Sequence, residues 1–295
     1  MGDLDVLERV GWFCEAGGFD LVASKLRRPV LRPGTVCRSS LIGWLARDAS
    51  PIVSVAAPAG YGKTTLLAQW AEDDGRAFAW VSVDDADNDP KVLLTYVAQA
   101  LDSVQPVGEP LFEALASPTS SVPGSVVPRL GSAFASMTVP VVLVLDGVHV
   151  LHSRPDRAAL SALADHVPTG SRLVLAGRDQ PPLRIARLRA EGRILEIGPG
   201  ELALTTAETS LLLRGADLAL GEDLVAELYR RTEGWAAGLY LAALYLREGG
   251  SLAGAAASFG GDDRLVSEYV ESEFLARISP RDREILIRTA VLERL

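Results

Sequence analysis

Ala57-Pro58-Ala59-Gly60-Tyr61-Gly62-Lys63-Thr64-Thr65 is the stretch whose reading decides the fold. It follows Ile52-Val53-Ser54-Val55-Ala56, a short apolar run, and precedes Leu66-Leu67-Ala68-Gln69-Trp70, which has helical character, so it lies where a strand hands over to a helix. In that setting the residues read as a phosphate-binding loop. Gly60 and Gly62 let the backbone curl until several N–H groups face one point, and the dipole of a helix starting near Thr64 adds positive potential there. Lys63 would reach the β- and γ-phosphates, and the Thr64 hydroxyl would hold Mg²⁺. The general pattern G-x-x-x-x-G-K-[ST] asks for glycine where this chain has Ala57.

The chain of 295 residues is long enough for about two domains of roughly 150 residues each. With 48% hydrophobic and 23% charged residues it can build an ordinary core. It lacks both a run of roughly 18 apolar residues and a basic-then-apolar beginning, so neither a membrane span nor a secretory signal is expected. Cys14 and Cys37 are the only cysteines, which suggests neither a disulfide framework nor a zinc cluster and fits a reducing cytoplasm. A net charge of −9 excludes a general nucleic-acid binder within these residues, because neutralising phosphates needs a basic face.

Residues 1–24 read as a helical extension, a packing arm carrying Leu4, Leu7, Val10, Trp12 and Phe13 and running into the basic segment Lys25 to Arg32. Pro29, Pro33 and Gly34 then break the chain before a helix from Ser39 to Ala46. Ala77–Val83 reads as a second strand. The acids at 85, 87 and 89 invite an EF-hand reading, which fails because Pro90 stands where glycine is required and Tyr96 where glutamate is. Instead Asp89 caps a helix with Pro90 at its first position, reaching Leu101. Residues 102–125, rich in Pro, Ser and Gly, predict a mobile connection with one short helix, and a further helix spans about Val126 to Ser136.

Val139-Pro140-Val141-Val142-Leu143-Val144-Leu145-Asp146 has the composition of a strand buried on both faces, and it ends in a carboxylate where an open parallel sheet places ligands. Asp146 therefore reads as the acid that holds Mg²⁺, the alternative being a turn residue ending the strand. A helix over Pro155–His166, a strand over Arg172–Ala176 with Gly177-Arg178 at its end, a basic helix over Leu183–Ala190 and a strand over Ile194–Ile197 complete the pattern. Five strands alternating with helices predict an α/β fold with a doubly wound, five-stranded parallel sheet, that of a P-loop NTPase. From Thr206 onward the pattern is all helical, with helices near 206–214, 222–231, 235–248, 266–277 and 281–290; Thr206 opens the first and Gly249-Gly250 ends the third.

In this order the pieces resemble the signal-transducing NTPase module of the MalT-like, large ATP-binding LuxR-type transcription regulators, a branch of the STAND class. The resemblance runs from Lys25 to the end. It is carried by Lys25-Leu26-Arg27-Arg28-Pro29, by Val36-Cys37-Arg38, and by the loop, where the family also has Ala at the position of Ala57. It continues with Trp80, Asp84, Asp87, Asn88, Asp89 and Pro90, then Asp146 and His149, Arg178 with Pro181-Pro182-Leu183, and Thr232-Glu233-Gly234-Trp235.

The resemblance implies a nucleotide-binding domain over 25–200, a small helical domain over 201–262 and the beginning of a winged-helix domain over 263–295. ATP or ADP would lie between the α/β and helical parts. ADP would hold a closed resting state, and inducer plus ATP would permit opening and self-association. Val36 and Arg38 would lie near the adenosine end; Ala59, Gly60, Tyr61, Gly62, Lys63, Thr64 and Thr65 would cradle the phosphates. Thr64 and Asp146 would hold Mg²⁺, and Arg178 would sense the γ-phosphate or, in the plainer reading, pair with a surface acid.

Two departures from the family matter. Gly147 stands where a second Asp usually follows Asp146, and Ala236 replaces the proline of the Gly-Trp-Pro element. The missing acid is the group expected to orient the attacking water, so a slow or absent ATPase is expected, and Gly147→Asp is expected to raise hydrolysis. His149 could partly substitute, or pack at the strand end. Ile278 to Leu286 superficially resembles the opening of a LuxR helix-turn-helix, yet it fits the winged-helix region of the family better. The expectation is thus an N-terminal portion of a longer cytoplasmic regulator, touching DNA only through a C-terminal domain absent from this chain. The alternative is an actively hydrolysing P-loop ATPase doing loading or remodelling work.

Overall fold

The computed structural model describes residues 21–248, 263–276 and 278–289. Five apolar runs, β1 (Ile52–Ala56), β2 (Ala77–Ser82), β3 (Val141–Asp146), β4 (Arg172–Gly177) and β5 (Ile194–Ile197), pair in parallel in the order β2-β3-β4-β1-β5. The inner strands β1, β3 and β4 are buried on both faces, as their unbroken apolar composition demands. The register sets Ser82 beside Asp146, Asp146 beside Ala176, and Gly177 beside Ala56, so these strands end along one line. β4 lies between the strand that leads into the loop and the strand that ends in Asp146.

The described residues divide into two units, the first comprising 21–31, 37–58 and 63–202 and the second 32–36, 59–62 and those from 203 onward. In the first, the helices are α1 (Ser39–Arg47), α2 (Lys63–Asp73), α3 (Pro90–Asp102), α4 (Glu109–Ala116), α5 (Val127–Ala135), α6 (Arg154–Asp165), α7 (Ile185–Ala190) and α8 (Pro199–Leu202). Asp89 caps α3 by accepting from the N–H of Lys91, with Pro90 at the first position. The segment read as a mobile connection is more than a tether. Its short helix α4 drives Leu111, Phe112, Ala114 and Leu115 into the core beside Leu93 and Leu101 of α3 and Leu130 and Phe134 of α5. Enough apolar side chains survive between the breakers to bury one face.

Edge strand β2 is shielded by a 3-10 turn over Ala23–Leu26, whose Lys25 ammonium binds Asp84 at 2.7 Å and Asp87 at 2.8 Å. Such a covering removes an edge that would otherwise invite foreign strands. Towards the C-terminal end of α2, Trp70 is fully buried, packs edge-on against Phe78 and has the guanidinium groups of Arg76 and Arg172 at 5.7 and 5.6 Å from its ring centre. Asp74 accepts from both Arg76 and the indole of Trp70.

The second unit, taken by itself, is helical, with α9 (Thr206–Gly215), α10 (Glu222–Thr232), α11 (Ala236–Glu248), α12 (Arg264–Val270) and α13 (Pro280–Thr289). Thr205 rather than Thr206 caps α9, in a reciprocal box with Glu208. Helix α12 passes into a π-type turn over Glu271–Leu275, so the helix expected at 266–277 begins earlier and changes pitch. Leu213, Leu228, Leu239, Ala242 and Ala243 form its core with Val266. Gly249-Gly250 and most of the expected N-terminal extension lie outside the described residues. No described helix is long and apolar enough to cross a membrane.

Candidate functional site

The loop leaves β1 with its pairing intact for one more residue, because the N–H of Ala57 donates to Gly177 at the end of β4. Ala57 itself is buried, which explains why a small apolar residue serves at a position where the general motif has glycine. Gly60 and Gly62 both adopt φ +79°, a conformation costly for any residue with a Cβ. At Gly62 a Cβ would meet nothing, so conformation alone requires glycine there. At Gly60 it would lie 2.5 Å from the Cβ of Ala237, 2.7 Å from the indole nitrogen of Trp235 and 2.8 Å from the hydroxyl of Tyr269.

These three residues belong to the same unit as the loop tip, 59–62. The Trp235 indole N–H donates to the Ala59 carbonyl at 3.0 Å, and the N–H of Ala237 donates to the Gly60 carbonyl at 3.0 Å. Trp235 in turn packs edge-on against Tyr269, with ring centroids 5.5 Å apart. A sequence reading that assigned Gly60 to phosphate binding alone missed this second demand on it.

Helix α2 begins at Lys63, whose ammonium donates to the carbonyls of Ala57 at 2.7 Å and Pro58 at 2.9 Å. Burial pulls that ammonium below its ordinary range; Asp146 opposes the shift and Arg178 adds to it. Arg178, half-buried just past the end of β4, thus stands close enough to Lys63 to be felt electrostatically. One residue along α2, the Thr64 hydroxyl donates to Asp146 at 2.5 Å. Burial pushes the Asp146 carboxyl above the usual carboxylate range, against the Thr64 hydrogen bond and the charge of Lys63.

The first unit therefore gathers Lys63, Thr64, Asp146 and Arg178 around the start of α2. Two cations and a helix N-terminus suit a polyphosphate. The Thr64 hydroxyl and the Asp146 carboxylate are hard oxygen donors that fit Mg²⁺, an ion that keeps several waters and shares phosphate oxygens instead of needing a full protein cage. Among the described residues no cluster of three or more His, Cys, Asp or Glu could hold a metal.

Gly147 is held at φ +106° by two main-chain bonds, its own N–H to Ala176 at 2.8 Å and the N–H of Val83 to Asp146 at 2.7 Å. A Cβ there would run into the carbonyl oxygen of Val83. A side chain there requires the chain just past the ends of β2 and β3 to shift, so Gly147→Asp, expected from sequence to raise hydrolysis, is also expected to cost stability. His149 lies in a 3-10 turn over Val148–Val150, with its backbone nitrogen and Cβ close to where a side chain on Gly177 would project. Both its ring nitrogens are buried, which suits packing at the strand end better than activating a water. That turn is fixed by Asn88, which donates to the Val150 carbonyl at 2.8 Å and accepts from the N–H of His152 at 3.1 Å.

Arg38 is only 9% exposed, and its guanidinium donates to the carbonyls of Leu202 at 2.6 Å and Glu201 at 3.0 Å. Its main-chain N–H donates to the side chain of Gln69 at 3.0 Å. Gln69 went unnoticed in the sequence. The only signal was its place on the apolar side of α2, between Ala68 and Trp70. Tyr61 and Thr65 are half-buried at the loop tip and on α2, and Val36 is half-buried in segment 32–36 of the second unit.

No family model matches the chain. Among curated proteins it is 32% identical over 286 residues to the HTH-type transcriptional regulator MalT of Serratia proteamaculans, a match covering 92% of this chain and 30% of that protein. It is 31% identical over 278 residues to the serine/threonine-protein kinase PknK of Mycobacterium tuberculosis, covering 92% of this chain and 25% of the kinase. The chain thus spans about a third or less of the length of these relatives. Among solved structures, the STAND protein PH0952 of Pyrococcus horikoshii, which carries a tetratricopeptide repeat sensor, matches with a TM-score of 0.54 at 16% identity, over 92% of this chain and 36% of that one. The Walker-type ATPase of Pyrococcus abyssi matches with a TM-score of 0.55 at 15% identity, over 88% and 81%. At such identities the likeness is one of fold.

Proposed function

We propose that this chain, about a third identical to MalT-type regulators over nearly its whole length, is a STAND-type P-loop module and the ATP- or ADP-binding switch of a LuxR-type transcription regulator, controlling inducer-dependent self-association. One observation carries the nucleotide part: Thr64 and Asp146, 82 residues apart in sequence, meet at 2.5 Å beside Lys63 at the mouth of the loop. In this reading residues 59–65 cradle the phosphates, Thr64 and Asp146 hold Mg²⁺, Arg178 feels the γ-phosphate, and Val36 and Arg38 serve the adenosine end. Residues 25–200 form the nucleotide-binding domain, 201–262 the small helical domain and 263–295 the start of a winged-helix domain, preceded by an extension over 1–24.

Switching requires the nucleotide to favour one arrangement over another, since a ligand that binds two states equally shifts nothing. When bound, Mg²⁺ would supply charge neutralisation to the phosphates. Lys63 and Arg178 add positive charge at the same place, and the backbone at Gly147 leaves no room for an acid that would orient water. The site is suited to holding a nucleotide more than to turning it over. DNA binding and the inducer belong, in this proposal, to further regions of a cytoplasmic regulator.

Denaturing freshly purified protein and identifying the released nucleotide, together with single-turnover hydrolysis of added ATP, tests the reading. Retained ADP with negligible turnover is expected. Sustained turnover would favour a working ATPase, and the absence of both bound nucleotide and any ADP-induced thermal shift would leave only a scaffold.

A further inference from the structure

We propose that Gln69 is a positioning residue that makes the site select a nucleoside phosphate over a bare polyphosphate. The proposal rests on the nucleotide-binding reading above and concerns a group that does not itself touch phosphate.

The loop and the start of α2 recognise phosphates by charge and backbone N–H groups, which are indifferent to what the phosphates are attached to. Selection of the nucleoside must come from chain lying further along. Gln69 lies six residues beyond Lys63, about 9 Å along the axis of α2 at 1.5 Å per residue, so any influence it has on a ligand is exerted beyond the phosphates and through other chain. It is 7% exposed among Leu66, Leu67, Ala68 and Trp70, each of which is no more than 1% exposed. A primary amide in such surroundings is costly unless it is hydrogen-bonded.

Its side-chain oxygen accepts the main-chain N–H of Arg38, at the start of α1. Arg38 has no side-chain cap of the ordinary kind for α1, so this bond from another helix fixes how the chain enters it. The same residue is held on a second side, because its guanidinium grips the carbonyls of Glu201 and Leu202 in α8. Gln69 and Arg38 therefore lock three otherwise separate pieces, the helix that follows the phosphate loop, the entry to α1 and the end of α8. The position of residues 37–38 relative to the phosphates is set by a side chain on the phosphate-binding helix itself. A glutamine that merely stabilised the fold would affect every ligand alike; one that sets this register affects only ligands that extend past the phosphates.

The test measures dissociation constants by calorimetry for ADP, ATP, pyrophosphate and tripolyphosphate, with Mg²⁺, on the whole chain and on Gln69→Leu and Gln69→Glu. Losing the acceptor for a buried N–H is expected to weaken ADP and ATP binding by about tenfold in Gln69→Leu, leave pyrophosphate and tripolyphosphate within about twofold, and be largely rescued in Gln69→Glu, which keeps an acceptor. Should Gln69→Leu fail to fold, Gln69→Asn, which keeps the amide but is a methylene shorter, takes its place with the same expected pattern. Equal weakening of nucleotides and bare phosphates, or no weakening of either, overturns the positioning role. A wild-type chain that binds bare phosphates but gains nothing from the nucleoside overturns it too, while leaving the phosphate loop intact. Failure of the wild type to bind any of the four ligands overturns the nucleotide-binding reading itself.

Discussion

The carbonyl oxygen of Val83 occupies the space into which a side chain on Gly147 would project. The two residues lie one past the ends of the neighbouring strands β2 and β3, which are sewn together by the Val83–Asp146 main-chain bond, so neither can retreat without disturbing the row that presents Asp146. Gly147→Asp and Gly147→Ala are both expected to destabilise the protein by about 2 kcal/mol or more, from the left-handed backbone and the collision together. Urea unfolding measures this. A variant as stable as the wild type would mean that the strand ends can part.

Lys63→Ala is expected to abolish the stabilisation that ADP confers. A ligand present at 100 times its dissociation constant adds about 2.7 kcal/mol to the native state, and that increment should vanish while the melting temperature without ligand changes little. An ADP-induced shift equal to that of the wild type would remove Lys63 from the site.

Asp146 has its carboxyl raised by burial, so it takes up a proton at a higher pH than an ordinary aspartate does. Only the ionised form serves Mg²⁺, and the Mg²⁺-dependent gain in ADP affinity should therefore decline on acidification before exposed carboxylates begin to titrate. Because the folded-state value lies above the unfolded one, this group alone favours the fold at low pH and loses that contribution as pH rises through its folded value. Affinity measured with and without Mg²⁺ as the pH is lowered checks the decline, and Asp146→Asn should show no Mg²⁺-dependent gain at any pH.

Asp74 behaves in the opposite sense. The side-chain hydrogen bond from Arg76 is the largest influence and holds its carboxyl down to about 2, from an ordinary 3.8. Its contribution is present in full above pH 3.8 and is lost as pH falls through about 2. Allowing for solvent screening, Asp74→Asn should cost about 1–2 kcal/mol at neutral pH. The gap between variant and wild type in urea unfolding should close near pH 2.

The sheet was readable from sequence because its inner strands are buried on both faces and carry near-continuous apolar runs; Val141–Asp146 and Arg172–Gly177 admit little else. Lys63, Thr64 and Asp146 were readable for a similar reason, since each sits at a fixed offset from a strand end. What escaped depends on chain returning from far away. Nothing near Gln69 in the sequence says that Arg38 will come back to it, and nothing near Gly60 foretells the indole of Trp235, 175 residues on. The left-handed turn at Gly147 was legible as the absence of an acid but not as an obstacle to one. Helix α4 was underrated because the glycines, serines and prolines around it mask four residues that reach the core.

The shared custody of the loop has a practical consequence for dissection of the protein. Cys37–Pro58 and Lys63–Leu202 belong to the unit that holds the sheet, while Ala59–Gly62 belong to the unit of the helices that begin after Leu202. A fragment ending at residue 202 would keep every strand, the lysine, the threonine and the aspartate, yet it would strip the Ala59 and Gly60 carbonyls of the donors that shape the loop tip. Such a fragment could fold and still grasp phosphate poorly. A piece long enough to contain the motif is therefore expected to be too short to shape it.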